Sequence, residues 1–120
     1  RKLVKEDGVL DFSVPAAELA ARINGLFPWP CCSVEINGQP IKLGQADAGP
    51  GGDEAVAPGT VLGPDTEGLR VRCGTGILRL RRLQRAGGRM LPAAEFLRGF
   101  PVAPGGVLPS RPMPSLLVKR

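Results

Sequence analysis

Residues 69–83, LRVRCGTGILRLRRL, decide the fold of this chain. Apolar and basic residues alternate on both sides of Gly74-Thr75-Gly76, and the side chains of a β-strand point alternately to its two faces. The alternation predicts two antiparallel strands joined by a tight turn, because glycine tolerates the positive φ that such a turn needs. One face of the predicted hairpin is apolar and the other is basic.

The two faces of this hairpin are expected to have different surroundings. The side chains predicted to face the core are Leu69, Val71, Cys73, Leu78 and Leu80. The side chains predicted to share the outer face are Arg70, Arg72, Arg79 and Arg81. Leu83 follows Arg82 and so breaks the two-residue period, which predicts a β-bulge at this point.

A helix is predicted ahead of the sheet, from Ser13 to Phe27. Ser13 is a favourable N-cap, and Pro15 is tolerated in the first turn. Apolar side chains recur at helical spacing and form one stripe, which consists of Ala16, Leu19, Ala20, Ile23, Leu26 and Phe27. Pro28 cannot continue the helix, and we expect Trp29, the only tryptophan of the chain, to plug the core.

The segments between and after these elements supply the remaining strands. Residues 32–43 predict a second hairpin, because alternating apolar residues precede Asn37-Gly38, a type I′ turn signal. Residues 44–58 are rich in Gly, Pro and acidic residues and predict a loop. Residues 59–62 predict a further short strand, and residues 91–98 predict a short C-terminal helix.

Together these elements predict a mainly β fold with flanking helices. The best match is an OB-like antiparallel Greek-key barrel with an N-terminal helix and a short C-terminal helix. Residues 13–108 are predicted to form this domain, with an interdomain linker at 1–12 and a Pro-rich basic tail at 109–120. A chain that starts with a basic, polar segment is typical of a piece cut from a longer protein.

The composition of the 120-residue chain excludes several kinds of chemistry. Histidine is absent, so a His general base, Ser-His-Asp and Cys-His arrangements and His-dependent metal sites are excluded, and we predict no catalytic or metal-binding residue. Cys31, Cys32 and Cys73 are odd in number and lack CxxC spacing, which predicts reduced thiols in a cytoplasmic protein. No apolar run reaches the roughly 18 residues that span a bilayer, so no membrane partner is expected.

The net charge of +5 is unevenly distributed along the chain. Residues 1–60 carry five Lys or Arg against eight Asp or Glu, whereas residues 61–120 carry eleven against three. A basic surface favours polyanions such as nucleic acid, although a solvated basic face that promotes solubility is the alternative. The residues predicted from charge and alternation to contact nucleic acid are Lys42, Arg70, Arg72, Arg79, Arg81, Arg82, Arg85 and Arg89.

Several short motifs resemble the C-terminal domain of the methionyl-tRNA formyltransferase family. They are KLVKEDGVLDF at residues 2–12, FPWP at 27–30, PGTVL at 58–62, positions between Gly68 and Gln84, and Met90 with AAEFLRG at 93–99. These motifs occur in the family's order from residue 1 to about residue 105. The chain departs from the family pattern at Phe27 and Cys31, where the family has Asn and Gly, and in its shorter basic cluster after Gln84.

The resemblance implies a two-domain enzyme. Its N-terminal Rossmann-like domain would bind 10-formyltetrahydrofolate and transfer the formyl group to the α-amino group of initiator methionyl-tRNA, using an Asn, a His and an Asp of that first domain. This chain would then hold no cofactor, would be inactive alone and would bind the tRNA in a cytoplasmic enzyme of translation initiation. Arg1 and Lys2 match the position of tRNA-contacting basic residues in the family, and Lys5 in the same entry segment is predicted to join them.

Two other interpretations stay open at this point. The same module also follows formyltransferase domains that act on amino sugars attached to nucleotides, where it packs against the catalytic domain and binds no RNA. A free-standing interaction module without a catalytic partner is the third interpretation.

Overall fold

The computed structural model describes residues 8–29, 31–51, 56–65 and 68–110. The predictions made for Arg1, Lys2 and Lys5 lie outside these residues, and so do those for the tail at 111–120. Among the described residues, none of the helices has the length and apolar character that crossing a bilayer requires.

Six strands form one antiparallel sheet in the order β1-β2-β5-β4-β3, with β6 paired to β5. The strands are β1 Cys32–Ile36, β2 Gln39–Gly49, β3 Val61–Pro64, β4 Leu69–Arg72, β5 Ile77–Arg85 and β6 Leu91–Pro92. Since β3, β4 and β5 follow one another and β2 lies beside β5, the order is that of a Greek key. The predicted mainly β, OB-like fold is confirmed, and within the described residues β1 does not pair with β3, so the barrel is open.

The hairpin of β4 and β5 has the predicted apolar face. Leu69 lies opposite Leu80 and Val71 lies opposite Leu78, and all four side chains are fully buried. Gly76 has a φ of 79° in the turn between the strands, as the glycine-rich sequence predicts. This hairpin therefore supplies the central part of the core.

The irregularity predicted near Arg82 lies where β5 pairs with β2. Gly44 is an extra residue on β2 and Arg81 is an extra residue on β5, so that two shifts of register compensate each other. Next to the shifts, the Asn24 side chain of the preceding helix bonds both backbone groups of Ala46. Its Nδ2 donates to the Ala46 carbonyl at 2.8 Å, and the Ala46 N–H donates to its Oδ1 at 2.9 Å.

The prediction of a loop over residues 44–58 is wrong for residues 44–49, which continue β2. The compensating shifts keep the inward positions in phase, so that Ala46 is buried opposite Leu80. The predicted hairpin at Asn37-Gly38 is confirmed, and both residues have a positive φ, of 53° and 78°, as a type I′ turn requires.

Helix α1, Ala16–Leu26, packs against β2 and β5. Its buried side chains are Ala16, Leu19, Ala20, Ile23 and Leu26, which confirms the predicted stripe. The helix begins later than predicted, because Ser13 does not cap it. The backbone N–H and the hydroxyl of Ser13 instead donate to Asp11 Oδ1 at 3.0 and 2.6 Å, and these bonds lower the pKa of the Asp11 carboxyl.

Helix α2, Ala93–Gly99, packs against β5, and the ring centroids of Phe96 and Phe100 lie 5.2 Å apart at its end. The chain after α2 then runs along β3. The Val61 N–H donates to the Gly106 carbonyl at 2.7 Å, and the Leu108 N–H donates to the Gly59 carbonyl at 2.8 Å. Residues 105–108 therefore cover the outer edge of β3.

In the described part of the predicted linker, residues 8–12, two side chains are part of the core. Leu10 is 2% exposed and Phe12 is fully buried, in one cluster with the inner faces of the sheet and α1. The packed part of the chain thus includes residues before Ser13. The domain boundaries at 12/13 and 108/109 stay predictions.

We predict that Gly74→Ala lowers the free energy of unfolding by at least about 2 kcal/mol. A Cβ at Gly74 would lie 1.9 Å from the Ser13 carbonyl oxygen, where two backbone segments meet. Gly25→Ala is the matched control, because nothing lies within 4 Å of its Cβ position, and a helical Gly→Ala change should be neutral or stabilising by up to about 1 kcal/mol. Equal urea midpoints for the two variants would contradict this account.

Candidate nucleic-acid interface

The outer face of the sheet carries the predicted arginines of β4 and β5. Arg70 lies directly opposite Arg79 in the register. Because the strands are antiparallel, Arg72 and Arg81 lie on opposite sides of this pair, each two residues further along its own strand. All four side chains are partly exposed. The fold therefore brings these four residues together, as the alternation predicts.

Arg79 and Arg81 form ion pairs with acidic side chains. Arg79 Nη1 lies 3.1 Å from Asp47 Oδ1, and Arg79 Nε lies 3.1 Å from Asp65 Oδ2. Arg81 Nη1 lies 2.6 Å from Asp47 Oδ2. The Asp47 carboxylate thus bridges two guanidinium groups, and the two aspartates offset much of the positive potential in the middle of this face.

The local sequence around the arginines gives no hint of these acidic neighbours. Asp47 is more than 30 residues from Arg79 and comes opposite it only through the pairing of β2 with β5. Asp65 is held at the turn before β4, where its Oδ1 accepts the Gly68 N–H at 2.9 Å. The alternation of Gln45, Ala46 and Asp47 within the presumed loop was the one signal of an extended strand that could have placed Asp47 on this face.

Arg70 and Arg72 are oriented by backbone carbonyl groups. Arg70 Nε and Nη2 donate to the carbonyl oxygens of Gly63 and Leu62, each at 3.4 Å. Arg72 Nη1 donates to the Cys73 carbonyl. These carbonyl oxygens fix the direction of the two guanidinium groups.

The other predicted basic residues that the structure describes lie around one end of the β2–β5 pair. We call them the exposed cation group, and its members are Lys42, Arg82, Arg85 and Arg89. Lys42 lies opposite Gln84, a position between Arg82 and Arg85 on the neighbouring strand. Within the described ranges, none of the four side chains takes part in an ion pair. Among the predicted residues that the structure describes, these four side chains are therefore the most available to a polyanion.

The loop after α1 presents two aromatic side chains at the surface. Trp29 is 62% exposed and Phe27 is 44% exposed, so the expectation that Trp29 plugs the core is wrong. The Cys31 N–H donates to the Leu26 carbonyl at 2.9 Å, which turns the chain directly from the helix into β1. Leu26, Cys31 and Cys32 are buried at this end, and residues 27–29 between them are exposed.

The three cysteines are buried and form no disulfide. Burial raises the pKa of Cys32 to about 12 and that of Cys73 to about 11. Burial also raises the pKa of Cys31, and the nearby Lys42 ammonium opposes that rise. Since the thiolate is the nucleophile and the metal ligand, these thiols are poor candidates for nucleophilic catalysis or metal binding. In the part of the chain that the structure describes, no group of three or more His, Cys, Asp or Glu side chains could hold a metal ion.

Comparison with known protein families decides what kind of domain this is. The family model described as the formyl transferase C-terminal domain matches residues 2–101. The chain belongs to this family. The matched region includes the whole sheet and both helices of this formyl transferase C-terminal domain, and the resemblance drawn from the sequence motifs is confirmed.

Curated relatives of this formyl transferase C-terminal domain are named methionyl-tRNA formyltransferase. The protein from Ralstonia nicotianae is 42% identical over 110 residues, which cover 92% of this chain and 34% of that protein. The protein from Ectopseudomonas mendocina is 45% identical over 109 residues, which cover 89% and 34%. The chain thus spans about one third of the length of the curated relatives it matches.

Solved structures of HypX from Aquifex aeolicus share this fold. The structure of HypX in complex with tetrahydrofolic acid has a TM-score of 0.63 and 19% identity, covering 92% of this chain and 22% of that chain. A multiply substituted HypX variant has the same TM-score, with 21% identity, and covers 86% and 19%. At these identities the likeness shows the fold alone.

We predict that Asp47→Asn makes the chain elute from heparin at higher salt, because two guanidinium groups lose their shared counter-charge. The free energy of unfolding should fall by no more than about 1 kcal/mol for each partly exposed ion pair. Glu35→Gln is the matched control, since it removes the same charge from an exposed position on β1. An equal shift in elution for both variants would show that only net charge matters.

We predict that the free energy of unfolding falls as the pH rises above 9, because of the buried thiols. The folded-state pKa values of Cys32 and Cys73 lie above the ordinary value of 9.0, so the unfolded chain releases these protons first and becomes favoured. Urea titrations across this pH range should show a shallower loss for the Cys32→Ala/Cys73→Ala variant. An identical pH dependence in both chains would contradict the assignment.

Proposed function

We propose that this chain is the C-terminal tRNA-binding domain of a methionyl-tRNA formyltransferase. The observation that carries the proposal is the 41–45% identity to proteins of that name over 87% or more of this chain. The proposed role is to hold initiator methionyl-tRNA for an N-terminal Rossmann-like domain of the same polypeptide. That domain would transfer the formyl group from 10-formyltetrahydrofolate to the methionyl α-amino group, during translation initiation in the cytoplasm.

The chemistry of the described surface suits a positioning role. Lys and Arg contacts to phosphate groups supply affinity and orientation, and RNA helices are recognised largely by shape and backbone. The exposed cation group offers four such side chains around one end of the β2–β5 pair. Holding the tRNA there would make formyl transfer effectively intramolecular, which lowers the entropic part of its barrier.

The ion pairs of Asp47 and Asp65 make some of the predicted basic residues less available to phosphate groups than others. A phosphate that approached Arg79 or Arg81 would have to compete with carboxylates at 2.6 to 3.1 Å. A phosphate that approached Lys42 or Arg82 would meet no such competitor among the described residues. We therefore assign the main phosphate contacts to the exposed cation group, together with Arg1, Lys2 and Lys5 of the entry segment.

A second candidate function is an accessory domain of a formyltransferase that acts on a sugar nucleotide or another amine. The neutralisation of Arg79 and Arg81 by Asp47 favours this candidate. A basic face that also carries acidic side chains can be a solvated surface rather than an RNA site. This candidate requires that the chain does not bind tRNA.

We predict that the chain binds initiator tRNA with an affinity that falls steeply as salt rises, since each phosphate contact releases counterions. Arg82→Glu/Arg85→Glu should weaken binding and reduce the slope of log affinity against log salt by about 2, or about 1 for each lost contact. Fluorescence anisotropy of labelled tRNA at several salt concentrations measures both quantities.

The control for this experiment is Arg98→Glu/Arg22→Glu, which makes the same change of net charge on the two helices. Its slope should stay near that of the unaltered chain. Absence of binding at low salt would contradict the proposed function and favour the accessory domain. Equal losses in both double variants would move the contact away from the exposed cation group.

A further inference from the structure

The two exposed aromatic side chains of this domain are neighbours. The chain has five aromatic residues, and three of them, Phe12, Phe96 and Phe100, are buried in the core. The other two are Phe27 and Trp29, which occupy the same five-residue loop between α1 and β1. A residue pair that is costly to expose to water therefore occupies one place on the surface. We call this pair the aromatic corner.

The aromatic corner is held at both ends by ordered structure. Leu26 ends α1 in the core, and its carbonyl accepts the Cys31 N–H at 2.9 Å, which closes the loop. The buried Cys31 side chain donates to the Leu43 carbonyl of β2 at 3.4 Å. Pro28 further restricts the backbone between the two rings. Rings presented on a fixed loop lose little conformational entropy when they bind a ligand.

One cation of the proposed tRNA site, Lys42, lies on the strand to which the loop of the aromatic corner is bonded. Trp29 and Cys31 are two residues apart, so their Cα atoms are at most about 7 Å from each other. Lys42 lies opposite Ser33 in the β1–β2 register, two residues after Cys31. The next residue of β2, Leu43, accepts the hydrogen bond of the Cys31 thiol at 3.4 Å. The loop that carries the aromatic corner is therefore joined to β2 next to Lys42.

Exposed aromatic rings next to Lys or Arg are the usual composition of surfaces that bind single-stranded nucleic acid. Bases stack on the rings while cations contact the adjacent phosphates. A protein partner fits this surface less well, because lysine is depleted from the desolvated centres of protein interfaces. The charge beside the rings thus favours RNA as the occupant.

We propose that the aromatic corner, with Lys42, is a stacking platform for an unpaired nucleotide of the RNA that this domain binds. The proposal rests on the proposed tRNA-binding function and adds a contact that is not made by phosphate-binding arginines. It also assigns Trp29 a role that its predicted place in the core would have excluded.

The intrinsic fluorescence of the chain tests the proposal directly. Trp29 is the only tryptophan and tyrosine is absent, so emission excited at the tryptophan band reports on this one ring. The 120-residue chain is titrated with initiator tRNA, with a short single-stranded oligoribonucleotide and with a paired RNA duplex of the same length. Stacking predicts quenching by the tRNA and by the single strand, and a much smaller change with the duplex.

Substitutions separate stacking from a nearby electrostatic contact. Trp29→Ala should weaken binding of the tRNA by roughly 5- to 150-fold, the range that follows from losing one stacked base, with the salt slope unchanged. Trp29→Phe should retain most of the affinity because it keeps an aromatic face. Val107→Ala is the matched control, since Val107 is similarly exposed, at 61%, on a different segment, and it should bind like the unaltered chain.

The outcomes distinguish this inference from the function on which it rests. If tRNA fails to bind the unaltered chain, both are wrong. If tRNA binds while Trp29 emission is unchanged and Trp29→Ala binds equally well, only the stacking platform is wrong. An emission change that depends on chain concentration without RNA, lost in Trp29→Ala, would instead identify the aromatic corner as a protein contact and overturn the proposal.

Discussion

The pairing of β2 with β5 is the constraint on which the rest of this domain depends. It joins two hairpins that are distant in sequence, and it runs over most of the length of both strands. Its inward positions bring Leu43 against Leu83 and Ala46 against Leu80, under α1. Each fully buried leucine contributes roughly 1.5 to 3 kcal/mol relative to exposure, so the energy of the core follows from this one register.

The same register arranges the charges on the opposite side. A one-residue slip would turn the leucines of β5 outward and its arginines into the core, so the apolar face fixes where the arginines point. It also places Asp47 opposite Arg79. The result is a divided surface, in which the arginines at the centre are paired with carboxylates and the cations at one end are exposed. Net charge alone does not describe this arrangement.

Much of the fold could be predicted from local patterns, because the period of the apolar residues matches the structure. The hairpin of residues 69–83, the turn at Asn37-Gly38 and the stripe of α1 follow from spacing within one element. The features that could not be predicted depend on distant partners. Asp47 meets its partners through a non-local strand pairing. The compensating shifts at Gly44 and Arg81 interrupt the two-residue period by which the strand that carries Asp47 could have been predicted.

The wrong predictions for Trp29 and for Ser13 have a similar physical origin. A large aromatic side chain is a good core residue by composition, but the return of the chain through Cys31 leaves Trp29 outside the sheet. Ser13 is a good helix cap by type, but Asp11 lies two residues before it and accepts both of its donors. In each case a hydrogen bond of neighbouring residues, rather than the residue's own preference, decides where the side chain lies.

The strip of backbone at residues 105–108 has a consequence for solubility. It bonds to Gly59 and Val61 along the outermost strand, and it lies beyond residue 101, where the family match ends. A chain shortened to the matched region would lose Leu108 from the core and would leave those amide and carbonyl groups unpaired at the margin of the sheet. Such a margin is a template for strand addition by another molecule, and in this structure residues 105–108 cover it.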